Sequence, residues 1–324
     1  MMNILIIRFS SLGDLVTLEP TFRAMRHFFQ NDHITFLTSN IGKSLYEDTP
    51  YFDNFIVKKT FFQTITEFKD LSFDIVFNIQ CTKPSHYLSF FINKKQNINK
   101  SSNLIQKIFN IKAPPKSIYS LLLEAHIDAT LLNEYISHPE YDLIQFPIIK
   151  KPLFEDSKTI AISTGCSPRW KSKQWGVSNY EKLIAKLLEQ NFKIILVGSK
   201  LEEDDAKVLC SRFPSIINYV NKTSLGELKN LLARVDLYVG NDSGPTHIAA
   251  AVGTNTLTIF GSTDIKHCPA FSNKYRGTHL YVKPNDSISC HPCYKTVCPT
   301  KHECMESIDI NHVLKLIFQE MTNK

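Results

Sequence analysis

Short apolar, β-branched runs recur along this chain, each followed by a polar turn and then by a stretch whose apolar positions have helical spacing. Asn3 to Arg8 (NILIIR) is the first run and reads as a strand buried on both faces, as in a parallel sheet. The turn Phe9-Ser10-Ser11-Leu12-Gly13-Asp14 leads into a helical stretch in which Pro20 marks either a kink or a restart. Further strands are predicted at His33–Thr38, Phe55–Val57 and Asp74–Ile79, with helices between them. Strands alternating with helices predict an α/β fold with a parallel sheet. Residues 146–158 (FPIIKKPLFEDSK) carry two prolines and clustered charge, which suits a linker. The alternation then restarts with a strand at Thr159–Ser163, a helix from Ser178, a strand at Lys193–Val197 and a helix from Glu202. Ser178 with Glu181 three residues on has the spacing of a capping box. The pattern therefore predicts two successive Rossmann-like domains, residues 1–150 and 151–324.

The stretch Tyr238–Asp264 (YVGNDSGPTHIAAAVGTNTLTIFGSTD) is the most informative part of this second half. It reads as the end of a buried strand (Asp236–Val239), a tight polar loop, an Ala-rich helix and a second strand (Thr256–Phe260). Pro245 suits the first helical position, capped by Ser243 or Gly244, and Gly253 suits a left-handed stop. Backbone N–H groups at such a helix start form an anion site beyond the carboxyl end of the strand, unless the segment is an ordinary connection.

Composition narrows the classes without choosing among them. A chain of 324 residues that is 43% hydrophobic and 21% charged can bury two ordinary cores. Its 37 basic and 31 acidic residues give a net charge of +6, compatible with an acidic substrate or an anionic membrane surface but too diffuse to point to nucleic acid. No apolar run reaches the ~18 residues of a membrane span, and the apolar start lacks the marks of a signal peptide, so a cytoplasmic location is expected. Neither a dinucleotide fingerprint nor a P-loop is present, and H-E-x-x-H and G-x-S-x-G are also missing.

Several side chains could carry chemistry. Asp14 follows the first strand, beside Ser10, Ser11 and Gly13; it suits either a helix N-cap or first-turn carboxylate, or a general base. Lys173 lies in a basic, aromatic loop, Arg169-Trp170-Lys171-Ser172-Lys173-Gln174-Trp175, which suits either a solvated surface or a place where a cation neutralises a diphosphate and the two tryptophans shape or cover the site. Glu202 and Glu203 open a helix and either could accept from ribose hydroxyls. His247, at the expected third helical position, could donate to a phosphate oxygen. Asp242 would repel a phosphate, so it suits a cap, a partner for Lys173 or a contact to a ligand hydroxyl. Cys290, Cys293, Cys298 and Cys304 fall within fifteen residues, but C-x2-C-x4-C-x5-C matches no common zinc ribbon, which favours reduced thiols over a structural metal. Cys81, Cys166, Cys210 and Cys268 read as small core or loop residues.

Taken together, ILIIRFSSLGDLVTLEPTFRAMR, LVGSKLEED, the Tyr238–Asp264 segment and the C-x-P-C tail resemble, in order and spacing, the lipopolysaccharide heptosyltransferases of glycosyltransferase family 9. That resemblance implies a GT-B fold, in which two Rossmann-like domains face each other across a cleft. The first domain would bind mostly the acceptor and the second the nucleotide-sugar donor, with the last helix able to pack back on the first. It further implies inverting transfer of heptose from ADP-heptose to the lipopolysaccharide inner core, with no cofactor and no catalytic metal, at the cytoplasmic face of the inner membrane. By resemblance, Asp14 matches the general base, with Ser10, Ser11 and Gly13 on the acceptor side. Lys173 matches the diphosphate-binding lysine, and Thr164, Glu202, Asp242, Ser243, Gly244 and His247 match donor contacts. Lys94, Lys95 and Lys100 are expected to meet acceptor anions, while Asn78 departs from the aspartate common in the family. The alternatives are a same-fold enzyme with another donor or a protein acceptor, and a non-catalytic nucleotide-binding module.

Overall fold

A computed structural model of the chain describes residues 1–80, 82–99, 122, 125, 127–137, 143–148, 151–267 and 276–322. Cys81, Lys100 and Cys268 lie outside them. The chain divides into two compact units, Met1–Ile144 and Gln145–Lys324. The segment read as a linker is bonded to the second unit: Phe146 N–H donates to Ala251 O and Leu153 N–H to Arg234 O.

The first unit runs β1 (Asn3–Ile7), α1 (Leu12–Thr17), α2 (Glu19–Phe28), β2 (His33–Thr38), α3 (Asn40–Tyr46), β3 (Asn54–Val57), α4 (Phe61–Glu67), β4 (Ser72–Asn78), α5 (Lys83–Phe91), β5 (Asn93–Asn99) and α6 (Ala129–Ser137). Its strands lie in the order β3-β2-β1-β4-β5, and every pairing is parallel. Ile4, Leu5, Ile6 and Ile7 are wholly buried, which is why β1 reads as an unbroken apolar run. Pro20 restarts the helix, standing in the first turn of α2 where its missing N–H leaves no bond unmade. Sequence pattern gave no sign of β5. Its residues NKKQNIN are polar, yet it pairs along β4 through the backbone, and lysines blunt the sheet edge it occupies among the described strands.

The second unit runs β6 (Thr159–Ser163), α7 (Val177–Glu189), β7 (Lys193–Leu196), α8 (Glu203–Arg212), β8 (Ile217–Asn218), α9 (Leu225–Leu232), β9 (Leu237–Asn241), α10 (Gly244–Ala251), β10 (Asn255–Ile259), β11 (His279–Val282), α11 (Glu303–Glu306) and α12 (Ile310–Thr322). The six parallel strands lie in the order β11-β10-β9-β6-β7-β8. In each sheet the connections diverge at one place: between β1 and β4 in the first unit, and between β6 and β9 in the second. Backbone leaving the carboxyl ends of the strands there splays apart and opens a crevice, the usual ligand position in such sheets.

Three local expectations are corrected. Helix α7 begins at Val177 after Gly176, whose φ of 90° makes the turn; Asn179 Nδ2 donates to Trp175 O, and Glu181 pairs with Arg212 instead of capping. Helix α10 begins at Gly244 with Ser243 as N-cap, so Pro245 is second and His247 fourth. A 3-10 turn at Lys200–Glu202 precedes α8, which starts one residue later than expected. Gly253 does take the left-handed conformation, φ 75°, just past α10. The last helix, α12, packs into the second unit's own core through Val313, Leu314, Ile317 and Met321, and Phe318 stacks on Phe192. Among the described residues no helix is long and apolar enough to cross a membrane.

Candidate functional site

Asp14 sits in the first turn of α1, where its carboxylate is held on one oxygen. Ser11 N–H and Oγ–H donate to Oδ2 at 3.0 and 3.1 Å, and Arg8 Nη2 lies 3.1 Å from the same atom. Ser11 is the N-cap, so of the two structural readings of Asp14 the first-turn one holds, but the side chain stays 58% exposed and nothing among the described residues bonds Oδ1. The turn that carries it is stapled to two neighbouring strand ends. Phe9 N–H and Ser10 N–H donate to Gln80 Oε1, Arg8 Nη1 to Ile79 O, and Ser39 Oγ to Phe9 O. Arg8 and Gln80 were not singled out from sequence, and their place at the divergence of β1 and β4 is the signal that finds them. Gly13 is the second residue of α1. Asn78 faces inward and bonds His86 through Nδ2···Nδ1 at 3.2 Å. Lys95 is paired with Asp74 at 2.7 Å, and Lys94 donates to the carbonyls of Phe90 and Ile92, so each already has a local partner.

In the second unit the loops after β6 and β9 bring most of the remaining candidates together. Lys173 Nζ lies 2.6 Å from Asp242 Oδ2, with side chains only 15% and 11% exposed. Thr263 Oγ1 donates to the same oxygen at 2.8 Å. Burial pushes the Asp242 carboxyl up, but the Lys173 ammonium, its hydrogen bond, the nearby His247 and Thr263 outweigh this and hold it below the usual carboxylate range. Trp170 lies under the cation, 5.0 Å from Nζ to the ring centroid. Trp175 does not cover a ligand. It is buried in the core, edge-on to Tyr180. Ser243 and His247 are at the start of α10, where Thr246 Oγ1 donates back to Asn241 O. The Tyr238 phenol in the preceding strand is wholly buried, and that burial pushes it up to about 12.

Glu202 and Thr164 line a narrow crevice with Ile162, Val197, Ala206 and Val220. Glu202 Oε2 accepts from Ser199 N–H at 2.6 Å and Ser199 Oγ at 2.9 Å. Burial raises its carboxyl above the usual range despite those bonds. A Cβ on Gly165 would come within 1.7 Å of Glu202 Oε1, so only glycine lets this carboxylate lie against the β6 loop. Glu203 points elsewhere, to Asn221 Nδ2 at 2.7 Å. The geometry separates two residues that were equivalent in the sequence.

One buried side chain ties these loops together, and it was not anticipated. Asn241 Nδ2 donates to Thr164 O and Gly165 O at 2.8 and 3.0 Å, while its Oδ1 accepts from Trp175 N–H and Tyr180 Oη at 3.3 and 3.2 Å. From the other side, Ser172 Oγ bonds Ser262 Oγ at 2.8 Å, and Ser172 N–H donates to Thr296 O. The cysteine-rich tail therefore braces the turn that carries Lys173. Cys166, Cys210, Cys290, Cys293, Cys298 and Cys304 are free thiols, and among the described residues no group of three or more His, Cys, Asp or Glu could hold a metal ion. Burial pushes the Cys166 thiol up to about 11.

Two Rossmann-like parallel sheets with loops gathered at their divergence points place the chain in the GT-B class of glycosyltransferase folds. A solved structure titled as the Escherichia coli ADP-heptose lipopolysaccharide heptosyltransferase II superposes with a TM-score of 0.75 at 15% identity, covering 99% of each chain. By sequence, lipooligosaccharide heptosyltransferase 2 of Campylobacter jejuni is 26% identical over 94% of this chain and 95% of its own length. Lipopolysaccharide heptosyltransferase 1 of Campylobacter coli is 25% identical over 98% of both. Residues 74–302, more than half of the chain, match glycosyltransferase family 9 (heptosyltransferase). The chain belongs to that family.

Two outcomes follow from the geometry. Asn241→Ala strands the Trp175 and Tyr180 donors and the Thr164 and Gly165 carbonyls, and should cost roughly 3 kcal/mol in denaturant unfolding; wild-type stability would remove its clamping role. Glu202 has a raised carboxyl pKa, so its ionisation opposes folding as pH rises through the folded value, and the penalty is absent below the unfolded value. Glu202→Gln should therefore raise the melting temperature of the ligand-free protein by about 2 °C at neutral pH and leave it unchanged in acid; a lower melting temperature at neutral pH would contradict this.

Proposed function

We propose that this heptosyltransferase moves heptose from ADP-heptose to the lipopolysaccharide inner core by a single inverting displacement that uses no metal. The observation that carries the reading is Lys173 held beside Asp242 at the start of α10. An ammonium next to helical N–H groups is the arrangement that takes up negative charge on a departing diphosphate. The names of the relatives supply the donor and acceptor classes: the Escherichia coli structure is titled for ADP-heptose and lipopolysaccharide, and the Campylobacter proteins for lipooligosaccharide and lipopolysaccharide.

In the proposed step Asp14 Oδ1 accepts the proton of an acceptor hydroxyl, whose oxygen attacks the anomeric carbon of the heptose. The bond from that carbon to the β-phosphate oxygen breaks, and ADP leaves with the electron pair. Arg8 and Ser11 hold the carboxylate on Oδ2, which aims its other oxygen outward. Lys173 turns from Asp242 toward the diphosphate as it binds, while Asp242 or Thr263 receives a sugar hydroxyl. Glu202, lying by the backbone of Gly165, accepts from the ribose, and Thr164, Ser243, Gly244 and His247 complete the donor contacts. Ser10, Ser11 and Gly13 adjoin the acceptor. The first unit serves as acceptor domain and the second as donor domain, at the cytoplasmic face of the inner membrane, where the lipid-linked acceptor is made.

A positioned general base contributes ~10²–10⁴-fold, so Asp14→Asn should lower kcat by about that factor with little change in donor affinity. Near-normal turnover in single-turnover assays with ADP-heptose would overturn the assignment. Lys173→Ala should lose both ADP affinity and rate, by about tenfold or more in affinity for one desolvated charge contact; calorimetry showing unchanged ADP binding would refute it. A thermal-shift panel of ADP-heptose, UDP-sugars and GDP-sugars tests the donor directly, because only a true ligand stabilises by mass action.

A further inference from the structure

Helix α5 is amphipathic in the wrong sense. Its inward face is Ser85, His86, Leu88 and Ser89, all 2% exposed or less, whereas Tyr87, Phe90 and Phe91 are 46%, 49% and 58% exposed. The inward polar side chains have local partners: Ser85 Oγ donates to Thr82 O, Ser89 Oγ to His86 O, and His86 Nδ1 bonds Asn78. Tyr87, Phe90 and Phe91 stand at i, i+3 and i+4 and so share one outer face. The neighbouring α4 repeats the inversion, burying Thr64 completely while Phe61 and Phe62 are 36% and 80% exposed. The two faces are continuous, with ring centroids 5.7 Å apart for Phe61–Phe62, 5.8 Å for Phe61–Phe91 and 5.4 Å for Phe90–Phe91. Single exposed apolar residues need no explanation, but a contiguous aromatic patch on helices that bury serine and threonine does.

Charge decides what covers it. Between Lys58 and Asn99 the sequence carries six lysines and three acids. Lys58 and Lys59 are exposed just before Phe61, and Lys83 is exposed at the start of α5. Glu67 and Asp74 pair with Lys59 and Lys95, so those charges cancel and the excess rests on Lys58, Lys69, Lys83 and Lys94 against Asp70. Aromatic rings set among lysine ammonium groups match the headgroup–acyl boundary of an anionic bilayer, where rings enter the boundary and cations stay with the phosphates.

We propose that the outer faces of α4 and α5, through Phe61, Phe62, Phe90 and Phe91 with Lys58, Lys59 and Lys83 around them, seat this protein on an anionic phospholipid membrane. The surface deepens the lipid-linked acceptor reading above, resting on it for its biological sense but not for its binding step.

The test is flotation with vesicles of phosphatidylethanolamine and phosphatidylglycerol, against vesicles of phosphatidylcholine, with neither donor nor acceptor present. The full chain should float with the anionic vesicles, and more weakly as salt rises. Phe62→Ser with Phe91→Ser should weaken this by about tenfold or more, because two rings no longer leave water. Lys58→Gln with Lys59→Gln should weaken it severalfold and flatten the salt dependence. Phe62→Trp should keep binding, and its emission should be quenched by brominated acyl chains while that of the parent chain, whose tryptophans lie at 170 and 175, is not. Equal flotation of the serine variant, or binding indifferent to anionic lipid, would overturn the proposal. So would absence of flotation with a dimer in sedimentation that the serine variant abolishes, which assigns the patch to a second copy. Heptosyl transfer to a deacylated, water-soluble acceptor reports separately on the enzyme: it should survive in the serine variant, and its loss in Asp14→Asn would leave flotation unchanged.

Discussion

The second unit's site depends on one buried amide. Asn241 closes β9 with no exposure to solvent and uses both ends of its side chain to join the β6 loop and the start of α7 to its own strand. A buried amide with unmet partners costs more than its bonds return, so the arrangement holds only while all four are made. The consequence is a shared frame of reference. The β6 loop with Thr164 and Gly165, the start of α7 after Lys173, and the strand that delivers Asp242 are all registered to the same few atoms. Ser172 adds a second anchor from the cysteine-rich tail. Through the carbonyl of Thr296 that tail holds the turn that carries Lys173.

The first unit solves a similar problem with charge. Its β1 turn is pinned by Gln80 and Ser39, and Arg8 reaches from the end of β1 to the Asp14 carboxylate. One oxygen of that carboxylate is committed to holding the turn and the other is not. A capping residue and a reactive one need not be alternatives when the two oxygens are used separately.

Much of the fold was legible because buried parallel strands are continuous apolar runs. His33–Thr38 and Thr159–Ser163 were placed to the residue, and other strand ends shifted by one or two positions. What stayed hidden had physical causes. Strand β5 lies at the edge among the described strands and is specified largely by backbone pairing, with Ile98 the one apolar residue of its seven. The start of α7 misled because Ser178 and Glu181 have capping-box spacing, while Gly176 makes the turn that actually begins the helix. Among site residues, Lys173 and Asp242 were recognisable from their motifs, and their pairing had been one of several options. Asn241 and Gln80 were invisible because an amide's value lies in what the tertiary fold brings to it. Glu202 and Glu203 could be told apart only once Gly165 was seen to leave room for one of them.

The contact between Lys173 and Asp242 bears on selectivity. In the proposed donor site the Lys173 cation is already neutralised by a carboxylate that is itself held ionised. Inorganic phosphate would have to separate the pair and leave a carboxylate facing it. A ligand that brings an anionic group for the lysine and a hydroxyl for the aspartate, at the right spacing, meets both partners as it parts them. If the pair holds the donor as proposed, it would act as a filter that rejects half-matching molecules by leaving one of its members unsatisfied.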